Sequence, residues 1–187
     1  MVTALVVIDM QAGLFVPETP RLDADGVVAR INALARAVRR TGGPVVFVQH
    51  DGPPGDAFEP GTKGWALLAS LDREAADPVV HKRACDSFYE TDLADVLAAH
   101  RARRLVMTGC ATDFCVDTTV RAAASRDYEV VVAADGHTTA DRPHVTADQV
   151  IRHHNWLWEN LIHPRRPVAV RPAAEIVAAL ESPGPAP

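Results

Sequence analysis

The stretch "RLVMTGCATDFCVDTTVRAAAS", Arg104 to Ser125, decides the fold. Its opening apolar residues predict a strand over 104–109. The loop "CATDF" follows, and small residues from about Cys115 to Ser125 predict a helix. A strand that hands over to a helix within a few residues is a β-α unit, and the rest of the chain repeats it. "TALVVID" (3–9) reads as a buried strand closed by a carboxylate. Val27, Ile31, Leu34 and Val38 recur at helical spacing, with Asp25 as a candidate N-cap and Gly42 just past the end. "PVVFVQH" (44–50) predicts a second strand, "GWALLAS" a short helix and "DPVVHK" (77–82) a third strand. Thr91 is placed to cap a helix carrying Leu93, Val96 and Leu97. After the quoted unit, "YEVVVAAD" (128–135) predicts a fifth strand. Thr146 with Gln149 forms a capping-box pattern before a helix holding Val150, Leu157 and Leu161. "PVAVR" (167–171) supplies a sixth strand, followed by a helix to about Leu180. The tail from 182 to 187 is expected to be disordered. Alternation of this kind specifies an α/β domain, here residues 1–181, with a parallel sheet covered by helices on both faces.

Composition agrees with that class and narrows the partners. With 48% hydrophobic and 23% charged residues, the chain has the make-up of a globular protein. A net charge of −5 without a basic stretch argues against nucleic acid. The apolar start "MVTALVVIDM" lacks a basic flank and a cleavage site, and no apolar run reaches membrane-spanning length. Three cysteines are an odd number for a disulfide framework and suit a reducing compartment, so a cytoplasmic location is expected.

In open parallel sheets, ligands bind beyond the carboxyl ends of the strands. Three reactive side chains fall there: Asp9 ends the first strand, Lys82 ends the third, and Cys115 follows the fourth. A free thiol is mostly protonated at neutral pH. A helix N-terminus and a neighbouring cation lower its pKa, so the expectation is a thiolate stabilised by Lys82 and the helix, with Asp9 as proton acceptor. Each residue has an alternative reading on its own: a capping aspartate, a solvated lysine, a buried apolar cysteine. The pair Cys110 and Cys115 also admits a redox reading, but the spacing is not C-x-x-C.

The stretches "VVIDMQ", "HKRACDSFYETDL" and "TGCATDFCVDTTVRAA" resemble those of the isochorismatase-like cysteine hydrolases, in order and spacing, over about residues 3–162. The resemblance implies a three-layer α/β/α sandwich around a parallel six-stranded sheet, and a triad of Asp9, Lys82 and Cys115. It also implies a cis peptide between Cys110 and Ala111, an oxyanion hole formed by the Ala111 and Cys115 N–H groups, and a homo-oligomer (dimer or tetramer). The implied reaction is covalent hydrolysis of a small amide, ureido or lactam substrate through a thioester, without a cofactor.

Nicotinamidases of that family carry an Asp-x-His metal pair after the second strand. Here "HDGPPGDAFEPGTKGW" has His50 and Asp51 without that spacing, so no metal is expected. Isochorismate-cleaving members work on a vinyl ether without the thiol, which Cys115 disfavours. A non-catalytic oligomeric relative is a further alternative. Gln11, Phe15, His50, Trp65 and Phe88 are the expected substrate-pocket residues. His153, His154, Trp156 and Trp158 sit on one predicted helix, where adjacent histidines suit packing or a subunit interface better than a metal. A phosphate-cofactor module is disfavoured because "DMQAGLFVPE" provides a single glycine and no hydroxyl.

Overall fold

The computed structural model describes residues 1–182. The tail expected to be disordered lies outside the described residues, apart from Ser182. Six strands, β1 (Val2–Ile8), β2 (Val45–His50), β3 (Val79–Lys82), β4 (Ala102–Cys110), β5 (Glu129–Thr138) and β6 (Ala169–Arg171), form one parallel sheet in the order β3-β2-β1-β4-β5-β6. Five helices cover it: α1 (Ala24–Arg40), α2 (Leu93–Ala99), α3 (Asp117–Ser125), α4 (Ala147–Glu159) and α5 (Ala173–Glu181). The sheet and the helices on its two faces form the expected three layers.

The two cores explain the layers. On one face, Val27, Ile31, Leu34 and Val38 of α1 and Ile176 of α5 pack on Leu5, Val7, Phe47 and Val106. On the other, Leu93 and Leu97 of α2, Val120 and Ala123 of α3 and Trp158 of α4 pack on Val6, Ile8, Leu105 and Val132. Successive residues of β1 thus feed opposite cores, which is why the strand reads as a continuous apolar run.

Several local expectations are modified. The segment "GWALLAS" is not helical. Its backbone is bound to the chain after β1 instead: Leu68 N–H donates to Met10 O at 2.9 Å and Ala12 N–H to Ala66 O at 2.8 Å. These long-range bonds replace the i to i−4 bonds that a helix would need. Asp23, not Asp25, occupies the N-cap position of α1, and Asp25 lies in the first turn. Asp92 stands at the start of α2, while the Thr91 hydroxyl still accepts from Leu93 N–H at 3.3 Å. The Thr146–Gln149 capping box is present, and Leu161 falls just beyond α4. The helix expected from Cys115 starts at Asp117, preceded by a π-helical turn over Thr112–Val116.

β1 and β4 are neighbours, yet the chain leaves them in opposite directions across the sheet. That reversal is the switch point at which open α/β sheets form their crevice. Ile8 pairs with Gly109 there. Gly109 has φ +125°, and a Cβ on it would overlap the Ile8 backbone, so only glycine allows β1 and β4 to close up at this point.

Candidate active site

Asp9 is the first residue after β1 and has φ 48°, a left-handed conformation that aspartate tolerates better than most residues. Lys82 ends β3, two strand spacings or about 10 Å from β1, a gap that a long unbranched side chain can bridge. It does bridge it: Lys82 Nζ lies 2.7 Å from Asp9 Oδ2, with both side chains almost fully buried. The same ammonium donates to Cys115 Sγ at 3.2 Å and to Ala84 O at 2.9 Å. The three residues that the sequence singles out therefore meet at one ammonium group.

The electrostatics differ from the expected resting thiolate. Burial pushes the Cys115 thiol up and the Asp9 carboxylate pushes it further, and Lys82 only partly opposes them. Cys115 also sits inside the π-helical turn, a residue pair ahead of α3, not at the first turn of that helix. Burial and the Asp9 charge thus favour the protonated thiol over a resting thiolate. Burial likewise pushes the Asp9 carboxyl up, against the charge and hydrogen bond of Lys82 and a hydrogen bond from Cys115. Burial disfavours the Lys82 cation, but Asp9 and Cys115 outweigh it and raise the ammonium above its usual value. The consistent ground state is Asp9 ionised, Lys82 charged and Cys115 neutral.

The turn that carries Cys115 is anchored on both sides. Asp113 accepts from Arg142 through both carboxylate oxygens, at 2.8 and 2.9 Å, and from Thr139 Oγ1 at 2.8 Å. Burial works to raise Asp113, but the hydrogen bonds from Arg142 and Thr139 prevail and hold its carboxyl below the usual range. Thr112 Oγ1 lies 2.9 Å from His137 Nδ1, and His137 Nε2 lies 2.9 Å from Asn155 Oδ1. Asn155 Nδ2 donates to Ala134 O, which fixes the Asn155 oxygen as an acceptor. His137 is therefore the neutral tautomer with the proton on Nε2. Burial lowers its pKa to about 4.

The Cys110–Ala111 peptide is cis. Among the described residues the Ala111 N–H donates to no backbone or side-chain acceptor, while the Ala111 carbonyl accepts from Phe114 and Val116 N–H. Cys110 is buried, and burial pushes its thiol up to about 12, which keeps it unreactive.

Asp9, Cys115, Ala111 and Cys110 line a cavity of about 450 Å³. Of the expected pocket residues, Gln11 and His50 line it too. The Gln11 amide, however, is occupied: it donates to His50 O at 3.0 Å and Trp65 O at 2.8 Å and accepts from His50 N–H at 2.8 Å. It ties the loop after β1 to the end of β2.

Phe15, Trp65 and Phe88 lie elsewhere. Phe15 packs on the α1 core, and Phe88 is buried in the opposite core, stacked on Tyr128. Trp65 stacks on His81 and donates from Nε1 to Asp51 Oδ1 at 2.7 Å. The aromatic walls are instead Phe58 and Phe114, joined by Leu14, Cys85, Arg21, Arg83 and Arg142. Arg83 and Cys85 stand within the "HKRACDSF" stretch next to Lys82, the one sequence signal that could have found them. Among the described residues no three His, Cys, Asp or Glu side chains gather as a metal site, and no helix is long and apolar enough to cross a membrane.

A doubly wound parallel sheet with an acid, an ammonium and a thiol gathered at its switch point defines a class of α/β proteins that keep their chemistry at the carboxyl rim. Residues 3–155 match the Isochorismatase domain, and the chain belongs to the isochorismatase family. It is 35% identical over 142 residues to a streptothricin hydrolase of Streptomyces noursei, covering 76% of this chain and 56% of that protein. It is 30% identical over 178 residues to a ureidoacrylate amidohydrolase of Methylorubrum extorquens, covering 75% of this chain and 71% of that one. An isochorismatase family protein from Burkholderia thailandensis superposes with a TM-score of 0.78 at 29% identity, covering 97% of this chain and 96% of the other. The chain spans about half the length of the two streptothricin hydrolases it matches, 56% and 51%.

Proposed function

We propose that the chain hydrolyses a C–N bond of a small amide, ureido or lactam substrate, with Cys115 as nucleophile and Asp9 as general base. The observation that carries this reading is the ammonium shared by Asp9 and Cys115. Before proton transfer the buried trio is carboxylate, ammonium and thiol; afterwards it is carboxylic acid, ammonium and thiolate. Its net charge does not change, and Lys82 touches the negative charge at both ends of the transfer. Burial, which makes a lone thiolate costly, therefore adds little to this step.

As the Cys115 sulfur attacks the carbonyl carbon, its proton passes to Asp9, and the oxyanion is met by the Ala111 and Cys115 N–H groups. The unused Ala111 donor supports that role. Asp9 then returns the proton to the leaving nitrogen as the C–N bond breaks, leaving a Cys115 thioester. A water, deprotonated by Asp9, attacks the thioester; the sulfur leaves and recovers its proton from Asp9. Burial raises the Asp9 carboxyl, which makes its carboxylate a stronger proton acceptor than an exposed one.

Relatives named as a ureidoacrylate amidohydrolase and a streptothricin hydrolase support C–N hydrolysis as the reaction type. Trp156 and Ile162, 63% and 101% exposed, support self-association of the chain through the end of α4. The test of the reaction is release of ammonia or amine from a panel of primary amides, ureides and lactams. Activity that disappears in Cys115→Ala and Asp9→Asn supports the proposal. Activity that survives Cys115→Ala contradicts it.

A further inference from the structure

The cavity beside Cys115 carries more positive charge than its own carboxylates neutralise. Arg21, Arg83 and Arg142 all line it, and Lys82, which does not line it, is buried against the lining residue Asp9. Two of these four cations are matched: Lys82 by Asp9 and Arg142 by Asp113. Arg21 and Arg83 have no carboxylate partner among the described residues. Arg21 Nε is buried without any hydrogen-bond partner, and its guanidinium stands next to the inert Cys110 thiol. Three carboxylates, Asp51, Glu59 and Glu90, line the cavities that adjoin at Arg83, and none of them forms an ion pair with it. Asp51 accepts from Trp65 Nε1 and faces His81 Nδ1 at 3.0 Å, and Glu59 accepts from Gly55 N–H. A buried guanidinium nitrogen without an acceptor is costly unless a ligand supplies one. The planar fork of arginine is suited to binding a carboxylate through two oxygens.

We infer that the substrate is an acid: an amide or ureide whose carboxylate is held by Arg21 and Arg83 while its carbonyl lies at Cys115. This rests on the hydrolase reading above and narrows it. The remaining walls, Leu14, Phe58 and Phe114, would enclose a short apolar spacer between the two groups. The same charge excludes cationic amides from the cavity, so selection works by repulsion as well as attraction.

The test uses the Cys115→Ala protein, in which binding is read without turnover. Isothermal titration compares three ureas of similar length: β-ureidopropionate, uncharged n-propylurea and cationic γ-aminopropylurea. The acid is expected to bind about tenfold or more tighter than the neutral urea, and the cation not to bind measurably. Arg21→Gln and Arg83→Gln should each erase most of that preference, with circular dichroism spectra and thermal unfolding like those of the parent showing that the variants are folded. Arg21→Lys should restore part of it. Equal binding of acid and neutral urea, no saturable binding of the acid, or a preference that survives both glutamine variants would overturn the inference. Turnover by the unsubstituted protein reads the hydrolase proposal separately. Acid binding without turnover contradicts that proposal and leaves this one standing; equal turnover of acid and neutral ureas does the reverse.

Discussion

Lys82 Nζ lies 3.2 Å from Cys115 Sγ while holding Asp9 Oδ2 at 2.7 Å, so one ammonium serves the acid and the thiol together. Removing it strands a buried carboxylate. Lys82→Met, which keeps the stem and drops the charge, should lower stability by about 3–5 kcal/mol in chemical denaturation. Asp9→Asn in the same chain should recover most of that loss, because no unpaired charge remains. Neither variant should retain activity; a fall in rate of at least about 10³ is expected. A double variant no more stable than Lys82→Met would show that the pair does not act as a unit.

The state of the resting sulfur can be read by alkylation. Cys85 is exposed, Cys110 is buried, and Cys115 is a half-buried thiol pushed above its ordinary range. Iodoacetamide at neutral pH should therefore modify Cys85 first, Cys115 more slowly and Cys110 only on unfolding, as followed by peptide mass mapping. Cys115 labelling faster than Cys85 would restore the resting thiolate that the sequence suggests.

His137 gives the fold a defined acid sensitivity. Its pKa is about 4 in the folded chain against 6.5 for an unperturbed imidazole, so between those values the unfolded state binds the extra proton. Stability is full above about pH 6.5 and declines as pH falls toward 4, by about 3 kcal/mol at the lower end. Asp9, raised by burial, contributes with the opposite sign, so the useful comparison is with His137→Gln, in which the Asp9 contribution is shared. Urea midpoints at pH 7 and pH 5 should differ less in that variant than in the parent. An equal difference would remove His137 as the cause.

Gln11 illustrates a pocket residue that serves the scaffold. Gln11→Leu would leave His50 N–H and His50 O without the amide that now binds them, while Trp65 O keeps its bond from Gln49 Nε2. A loss of about 2–4 kcal/mol is expected from denaturation midpoints, with substrate affinity reduced only as far as the loop after β1 moves. Unchanged stability would show that these backbone groups find other partners.

The parts of the site that can be read from the sequence are those fixed by strand ends. Asp9, Lys82 and Cys115 each stand at or just beyond the carboxyl end of a strand, and a parallel sheet brings such positions to one rim whatever the loops do. The cavity walls are not readable in this way. Phe58 and Arg21 come from loops whose course depends on distant bonds, such as those joining "GWALLAS" to the chain after β1. Phe15 and Phe88 are close in sequence to the site, yet they turn into the two cores on either side of the sheet. The expected resting thiolate is opposed for a related reason: neighbouring charges are visible in a sequence, but the depth of burial that works against them is not. His137 gives no signal of its own, because its role depends on Thr112 and Asn155 arriving from two other elements.

The most direct test of covalent chemistry at Cys115 is intact-mass analysis of the protein, acid-quenched during turnover of a slowly hydrolysed amide or ureide. The account predicts an added mass equal to the acyl group, located on the Cys115 peptide, absent in Cys115→Ala and retained in Cys110→Ala. An adduct on Cys110, or turnover that continues in Cys115→Ala, would contradict it.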